Sequence, residues 1–373
     1  MKEIGLYIHI PFCEQKCKYC NFVSFCCNEE LRQQYVDFLV KEISNCKITE
    51  HTVSSIYIGG GTPSLLSCEQ ITAILNAVKD KFNINNNAEI TIECNPNSTV
   101  KEKLDCYKKL GINRISFGVQ STNNKCLKII GRLHDSKQAK QAVKLAKQVG
   151  FDNINVDLLI GLPRQNYHQI YRSINAFKKY VTHFSVYSLI LEEKTPLFDE
   201  VQNNLLKLPS ENKSVKMYLM ARKLLVKYGF ERYEVSNFAK LGKQCLHNNR
   251  YWEMGDYLGF GVSAHSFYDG IRSSNTESLQ EYFKQMRNNK ILPNKERLTQ
   301  VQKIEETIML GLRQSKGINL LDFQKLFGYD LTRKKKKEIE LLTTKKMISI
   351  CEGRLFATDL GFLVLNKIIL MLI

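Results

Sequence analysis

The sequence predicts an α/β fold built on a parallel sheet. Short apolar, β-branched runs alternate six times with amphipathic helical stretches, and parallel neighbours need such crossover connections. Polar, glycine-rich or cysteine-rich segments fall just past the ends of these runs, where a parallel barrel collects its chemistry on one face. The alternation fades after about residue 200. Two further units would be needed for a complete eight-stranded barrel, so both an open doubly wound sheet and a barrel fit the pattern.

The runs can be taken in order. Gly5–Ile10 leads into a loop with Cys13, Cys17 and Cys20. A helix follows, with Leu31, Tyr35, Phe38, Leu39 and Ile43 on one face. Val53–Ile58 leads into Gly59-Gly-Gly-Thr-Pro63, and Ile71, Ile74, Leu75 and Val78 mark the next helix. Ala88–Glu93 ends at Glu93-Cys-Asn-Pro96, and Ile112–Gly118 ends at Gly118-Val-Gln120. Helical spacing over Ala139–Val149 stops at Gly150, a terminator. Asn153–Ile160 carries Asp157 and runs on to Gly161-Leu-Pro163, and His183–Ile190 is the sixth run. Beyond residue 237 the spacing predicts helices over Leu279–Met286, Gln302–Leu312 and Leu320–Phe327. Gly317-Ile-Asn-Leu, the stretch Leu341–Ile350 and Arg354–Thr358 together suggest a small winged-helix unit. Two domains are expected, residues 1–237 and 238–373.

Composition narrows the class. Hydrophobic residues make up 43% and charged residues 24%, as in ordinary soluble proteins. No basic region precedes residues 4–12 and His9 interrupts them, so no signal peptide is expected. No stretch reaches the roughly 18 apolar residues of a membrane span. The tail Phe362–Ile373 is broken by Asn366 and Lys367 and reads as a packed terminal helix, with peripheral membrane contact the secondary reading. A cytoplasmic location is expected. The net charge of +17 reflects a lysine-rich composition throughout, and the run Arg333–Lys337 fits a solvated helix face, so no nucleic-acid partner is expected.

Twelve cysteines in 373 residues do not make a disulfide scaffold. Nine are scattered and read as small hydrophobes. The other three, spaced C-x3-C-x2-C, do not suit zinc, which takes four ligands, usually in two pairs. Cys26 and Cys27 stand at an awkward distance for a fourth. A redox dithiol needs two thiols, not three. Three thiolates on one loop fit a [4Fe–4S] cluster with one iron left open to an outside ligand.

This cysteine loop after a strand, with Gly59-Gly-Gly-Thr-Pro63 after the next, resembles the radical S-adenosylmethionine (SAM) superfamily. Tyr7-Ile-His-Ile-Pro-Phe-Cys13, Ser116-Phe-Gly-Val-Gln120, Asn155-Val-Asp-Leu158 and Gly161-Leu-Pro163 narrow the likeness. They resemble the oxygen-independent coproporphyrinogen III dehydrogenases and their haem-chaperone paralogues, the HemW type. Tyr233–Asn237, His247–Trp252 and Gly259–Ser266 extend the match over essentially the whole chain. The resemblance implies an incomplete (β/α)6 barrel with a mostly helical, winged-helix-like C-terminal domain. It implies Cys13, Cys17 and Cys20 as cluster ligands, with SAM chelating the open iron. Tyr7 and Tyr19 would flank the cluster, and Gly60, Gly61 and Thr62 would present backbone to the methionine end of SAM. Glu93, Gln120, Arg132 and Asp157 would be its polar contacts, Arg132 pairing with the carboxylate.

Three departures separate the two branches. The dehydrogenase pattern has a fourth cysteine where this chain has Phe22. Its N-terminal arm has no counterpart in the six residues before Tyr7. His247-Asn-Asn-Arg-Tyr-Trp252 matches a signature associated with the chaperones and with haem, where His247 would be an axial ligand. The expected function is a haem chaperone carrying a [4Fe–4S] cluster and SAM and passing haem to acceptor proteins, with no coproporphyrinogen-dehydrogenase activity. The alternative is the dehydrogenase itself, by radical oxidative decarboxylation. A radical SAM enzyme acting on tRNA has only the positive charge in its favour.

Overall fold

The computed structural model describes residues 2–289 and 291–373. Its first half is the alternation expected from the sequence: β1 (Glu3–Ile10), α1 (Glu29–Ser44), β2 (Thr52–Gly60), α2 (Cys68–Lys81), β3 (Asn83–Cys94), α3 (Lys101–Lys109), β4 (Arg114–Gln120), α4 (Asn124–Ile129), α5 (Ser136–Gln148), β5 (Asn153–Ile160), α6 (Tyr167–Phe177) and β6 (His183–Ser188). Strands β1 to β6 lie side by side in that order, all parallel. The helices start where their caps dictate. Ser67 with Gln70, Asp135 with Gln138 and Asn166 with Gln169 form reciprocal capping boxes at α2, α5 and α6. Gly150, at φ +95°, ends the α5 turn in a conformation that favours glycine. The apolar faces expected on α1 and α2 are buried, with Tyr35, Leu39, Ile43, Ile71, Ile74, Leu75 and Val78 fully covered.

The second half closes around the first. After α7 (Pro196–Gln202) and α8 (Glu211–Lys227), the short strands β7 (Glu231–Arg232) and β8 (Asn237–Ala239) add to the β6 edge, β8 antiparallel to β6. Helix α9 (Leu246–Trp252) leads to β9 (Tyr257–Phe260), which pairs parallel with the free edge of β1, Gly5 to Tyr257 and Ile8 to Phe260. Strands β10 (His265–Tyr268), β11 (Ile271–Ser274) and β12 (Asn294–Arg297) continue antiparallel from β9, with α10 (Leu279–Arg287) between the last two. The result is one open twelve-stranded sheet, β12-β11-β10-β9-β1-β2-β3-β4-β5-β6-β8-β7. Among the described residues no ladder joins its two ends, so the barrel is incomplete.

Residues 257–297, placed on sequence grounds in the C-terminal domain, thus extend the barrel sheet, and Tyr282, Phe283 and Met286 join its core. Strands of four residues each carry too little periodicity to announce this. A clasp holds them in place. The buried Glu42 carboxylate accepts from Tyr282 Oη (2.6 Å), Asn275 Nδ2 (2.8 Å) and the Gly261 amide (2.8 Å), and Tyr35 Oη donates to the His9 carbonyl (2.7 Å). A separate core starts with α11 (Gln300–Leu312). It continues through β13 (Ile318–Asn319), α12 (Leu320–Phe327), α13 (Leu331–Lys334), α14 (Lys336–Thr344), β14 (Ile348–Cys351), β15 (Arg354–Ala357), α15 (Asp359–Phe362) and α16 (Leu365–Leu372). The three short strands pair in the order β13-β15-β14, the arrangement expected of a winged-helix unit. Leu365, Ile368, Ile369 and Leu372 of the terminal helix are buried. Among the described residues no helix is long and apolar enough to cross a membrane.

Candidate functional site

The cysteine loop is pinned from several sides. Cys13 N donates to the Phe25 carbonyl (3.0 Å), Phe25 N to that of Pro11 (2.7 Å), Lys18 N to that of Ile130 (3.0 Å) and Leu197 N to that of Lys18 (2.9 Å). Elements from four parts of the chain therefore fix the positions of three free thiols, Cys13, Cys17 and Cys20. The glycine triplet lies against this loop. A Cβ on Gly61 would sit 2.7 Å from the Phe12 carbonyl oxygen and 2.9 Å from its amide nitrogen, and one on Gly60, at φ +115°, would sit 2.6 Å from His9 Cε1. The lack of side chains here is demanded first by the cysteine loop itself. Thr62 Oγ1 donates to Cys13 Sγ at 3.7 Å. Gly61→Ala is therefore expected to displace Phe12 and with it Cys13. Iron and sulfide content after reconstitution should fall, with a stability loss of about 1–3 kcal/mol readable by thermal melting.

The polar residues expected around SAM gather beside the thiols. Arg132 Nη1 lies 3.5 Å from Cys17 Sγ, and its Nη2 donates to Asn95 Oδ1 and the Gly118 carbonyl. Its Nε is buried without a partner among the described residues. Gln120 ends β4 in the left-handed region, at φ +66°, a conformation uncommon outside glycine that concentrates at functional sites. Glu93 accepts from Tyr57 Oη (2.8 Å) and the Gly60 amide (3.1 Å), which ties β3 to the glycine loop. Burial pushes its carboxyl up to about 7, and nearby Asp157 adds to the shift. Asp157 accepts from Asn155 Nδ2 (2.7 Å) and is likewise raised by burial. Tyr19 lies among Arg132, Cys17, Cys20 and Asp157, with its hydroxyl pushed up by burial. An orphaned guanidinium nitrogen, a cation facing a thiol and three thiols on one loop suit an anionic cluster carrying a carboxylate-bearing ligand.

Tyr7, on β1, lies beside this group through Tyr57, the donor to Glu93. Its ring stacks on Tyr57 and its hydroxyl meets His9 Nδ1 at 2.9 Å. The other nitrogen of His9 donates weakly to the Val23 carbonyl (3.4 Å), and burial lowers the imidazole pKa to about 4, so the ring is neutral.

His247 lies at the N-terminal ends of the strands. It is fully buried, with Nδ1 2.9 Å from Ser55 Oγ and Nε2 2.7 Å from Tyr251 Oη. Burial lowers its pKa to about 3. Both ring nitrogens are thus engaged, and an iron could reach Nε2 only if Tyr251 turned away. The neighbouring Glu89 accepts from Cys245 Sγ (3.3 Å) and the His247 amide (3.3 Å), and faces the buried Arg114, whose Nε is 4.0 Å from Oε2. In this conformation the His247–Trp252 signature plugs the barrel floor.

A cavity of about 550 Å³ runs from the cysteine loop to this plug. It lies on the inner face of β1, β9, β10 and β11, beneath α11. Tyr7, Phe22, Tyr251, Tyr257 and Phe267 supply its aromatic lining, and His265, Arg272 and Glu306 its polar groups. Phe22, the residue at the departure from the dehydrogenase pattern, is 65% exposed at its mouth. Among the residues built into these sites, His9, Tyr57 and Asn95 were not singled out from the sequence. Tyr57 could have been found, because β1 and β2 are parallel and it pairs with Tyr7. Asn95 follows Glu93 by two residues and shares the strand end.

A profile of the radical SAM superfamily matches residues 7–177, and one of the HemN C-terminal domain matches residues 298–364. The heme chaperone HemW of Lactococcus lactis is 35% identical over 368 residues, covering 98% of this chain and 96% of its own. That of Bacillus subtilis is 34% identical over 368 residues, 97% of each chain. Among solved structures, the coproporphyrinogen III oxidase HemN of Escherichia coli superposes with a TM-score of 0.86 over 100% of this chain and 90% of its own, at 23% identity. That last likeness is one of fold.

Proposed function

Since this chain belongs to the HemW family within the radical SAM superfamily, we propose that it is a haem chaperone that binds haem and hands it to acceptor proteins. Cys13, Cys17 and Cys20 would hold a [4Fe–4S] cluster, which when bound offers one iron open to an exchangeable ligand, SAM. Arg132 then supplies the cation for the SAM carboxylate. Gly60, Gly61 and Thr62 admit the backbone-close end of the molecule, and Glu93, Gln120 and Asp157 offer acceptors and donors to its polar groups. Tyr19 excludes water from the thiol side. His9, held between Tyr7 and Val23, brings no positive charge to the site at neutral pH.

The observation that carries the chaperone reading over the dehydrogenase one is Phe22. Where the dehydrogenase pattern has a cysteine, this chain projects an exposed phenyl ring into the mouth of an aromatic cavity. Such a ring favours holding a flat apolar macrocycle.

Anaerobically reconstituted protein is expected to bind about one haem per chain, by Soret titration. It should form no protoporphyrinogen IX from coproporphyrinogen III with SAM and a reductant present. Turnover clearly above that of cluster-free protein would replace the chaperone reading by the dehydrogenase.

A further inference from the structure

The family signature draws attention to His247, yet the imidazole that faces open space is another. His265, on β10, is exposed, lines the cavity, and its side chain has no hydrogen-bond partner among the described residues. We infer that haem seats in the cavity between β9–β11 and α11 with His265 as a ligand to its iron and the Phe22 ring against one face. This deepens the chaperone reading and rests on it.

The cavity has what a metalloporphyrin needs. Its volume, about 550 Å³, falls within the range of small-molecule sites. Tyr7, Phe22, Tyr251, Tyr257 and Phe267 give it flat apolar walls. Iron in a porphyrin takes an imidazole on its axis, and the cavity offers two histidines. His9 has both nitrogens engaged and is buried, which leaves His265. The porphyrin carboxylates need cations. Arg272 is already held by both oxygens of Glu306, at 2.8 and 2.7 Å. A second cavity of about 630 Å³ shares Met254 and Phe267 with the first and brings Arg297 and Lys303, neither in an ion pair among the described residues. A macrocycle lying along Phe267 could turn its carboxylates that way. The site opens between the barrel and the C-terminal unit, so cargo could leave without disturbing the cysteine loop's anchors.

The test compares haemin with iron-free protoporphyrin IX on the cluster-loaded protein. His265→Ala should weaken haemin binding at least about tenfold, the lower end of what losing even an outer-shell partner costs a metal site. The Soret band should shift, and added imidazole should restore it. Protoporphyrin IX affinity should stay unchanged. Phe22→Ala should weaken both porphyrins and leave the wild-type Soret position. His265 is exposed, so its variant is expected to fold, and an unchanged melting temperature checks this. A wild-type protein that binds no haemin would defeat the chaperone reading itself. Wild-type binding with affinity and Soret band unchanged in His265→Ala would overturn only the site assigned here, as would a loss seen in His247→Ala alone.

Discussion

Replacing any one of Cys13, Cys17 or Cys20 by alanine abolishes the iron–sulfur absorbance of reconstituted protein and leaves iron and sulfide near background. A cubane held by two protein thiolates has two irons without protein ligands, and the surroundings offer no good replacement. Cys26 is exposed and its thiol points to the Glu14 carbonyl at 3.6 Å, and Cys27 lies beyond it on the same segment. The loop does not rely on the thiols for its shape, since its backbone is tied to Pro11, Phe25, Ile130 and Leu197. The variants should therefore stay folded, with melting temperatures close to that of metal-free wild type. Full iron and sulfide retention in Cys17→Ala would refute the ligand assignment.

Glu89→Gln is expected to destabilise the fold by about 3–5 kcal/mol, the cost of leaving a buried charge without its partner. Arg114 is among the largest fully buried side chains, and its Nε and Nη1 find no acceptor among the described residues. Glu89, itself 6% exposed, is the carboxylate that faces it. Glutamine keeps the shape and an acceptor for Cys245 and His247, so the loss isolates the charge. Chemical denaturation of the single variants and of Glu89→Gln/Arg114→Met should show strong non-additivity, with the double variant recovering much of the stability. Additive losses would show that the two side chains are not coupled.

The first six strands were legible because each is a run of β-branched residues followed by a polar loop, and their observed limits lie within a few residues of expectation, apart from the longer start of β3. The cysteine loop and the glycine triplet were legible by spacing. Their relation was not, because the contact of Gly61 with Phe12 depends on how β1 and β2 pair. Strands β9 to β12 escaped for another reason. Each is four residues long, and their place beside β1 is set by long-range partners such as Glu42 and Tyr35. His265 lies outside the His247–Trp252 signature, and sequence shows which residue belongs to a signature, not which imidazole faces a cavity.

The pairing of β9 with β1 fixes an order in time. Once β1 has left the ribosome, one of its edges gains β2 within about fifty residues, but its other edge stays open until Phe260 has been made. At about 5–20 residues per second, that edge waits for roughly ten to fifty seconds. Its sequence, Gly5-Leu-Tyr-Ile-His-Ile10, is mostly apolar and holds no Lys, Arg, Asp or Glu, the kind of unpaired edge that recruits other chains. The nascent protein therefore depends on the first strand being shielded until the late hairpin arrives, and substitutions that slow β9 docking should appear as lost yield rather than as lost stability of the finished fold.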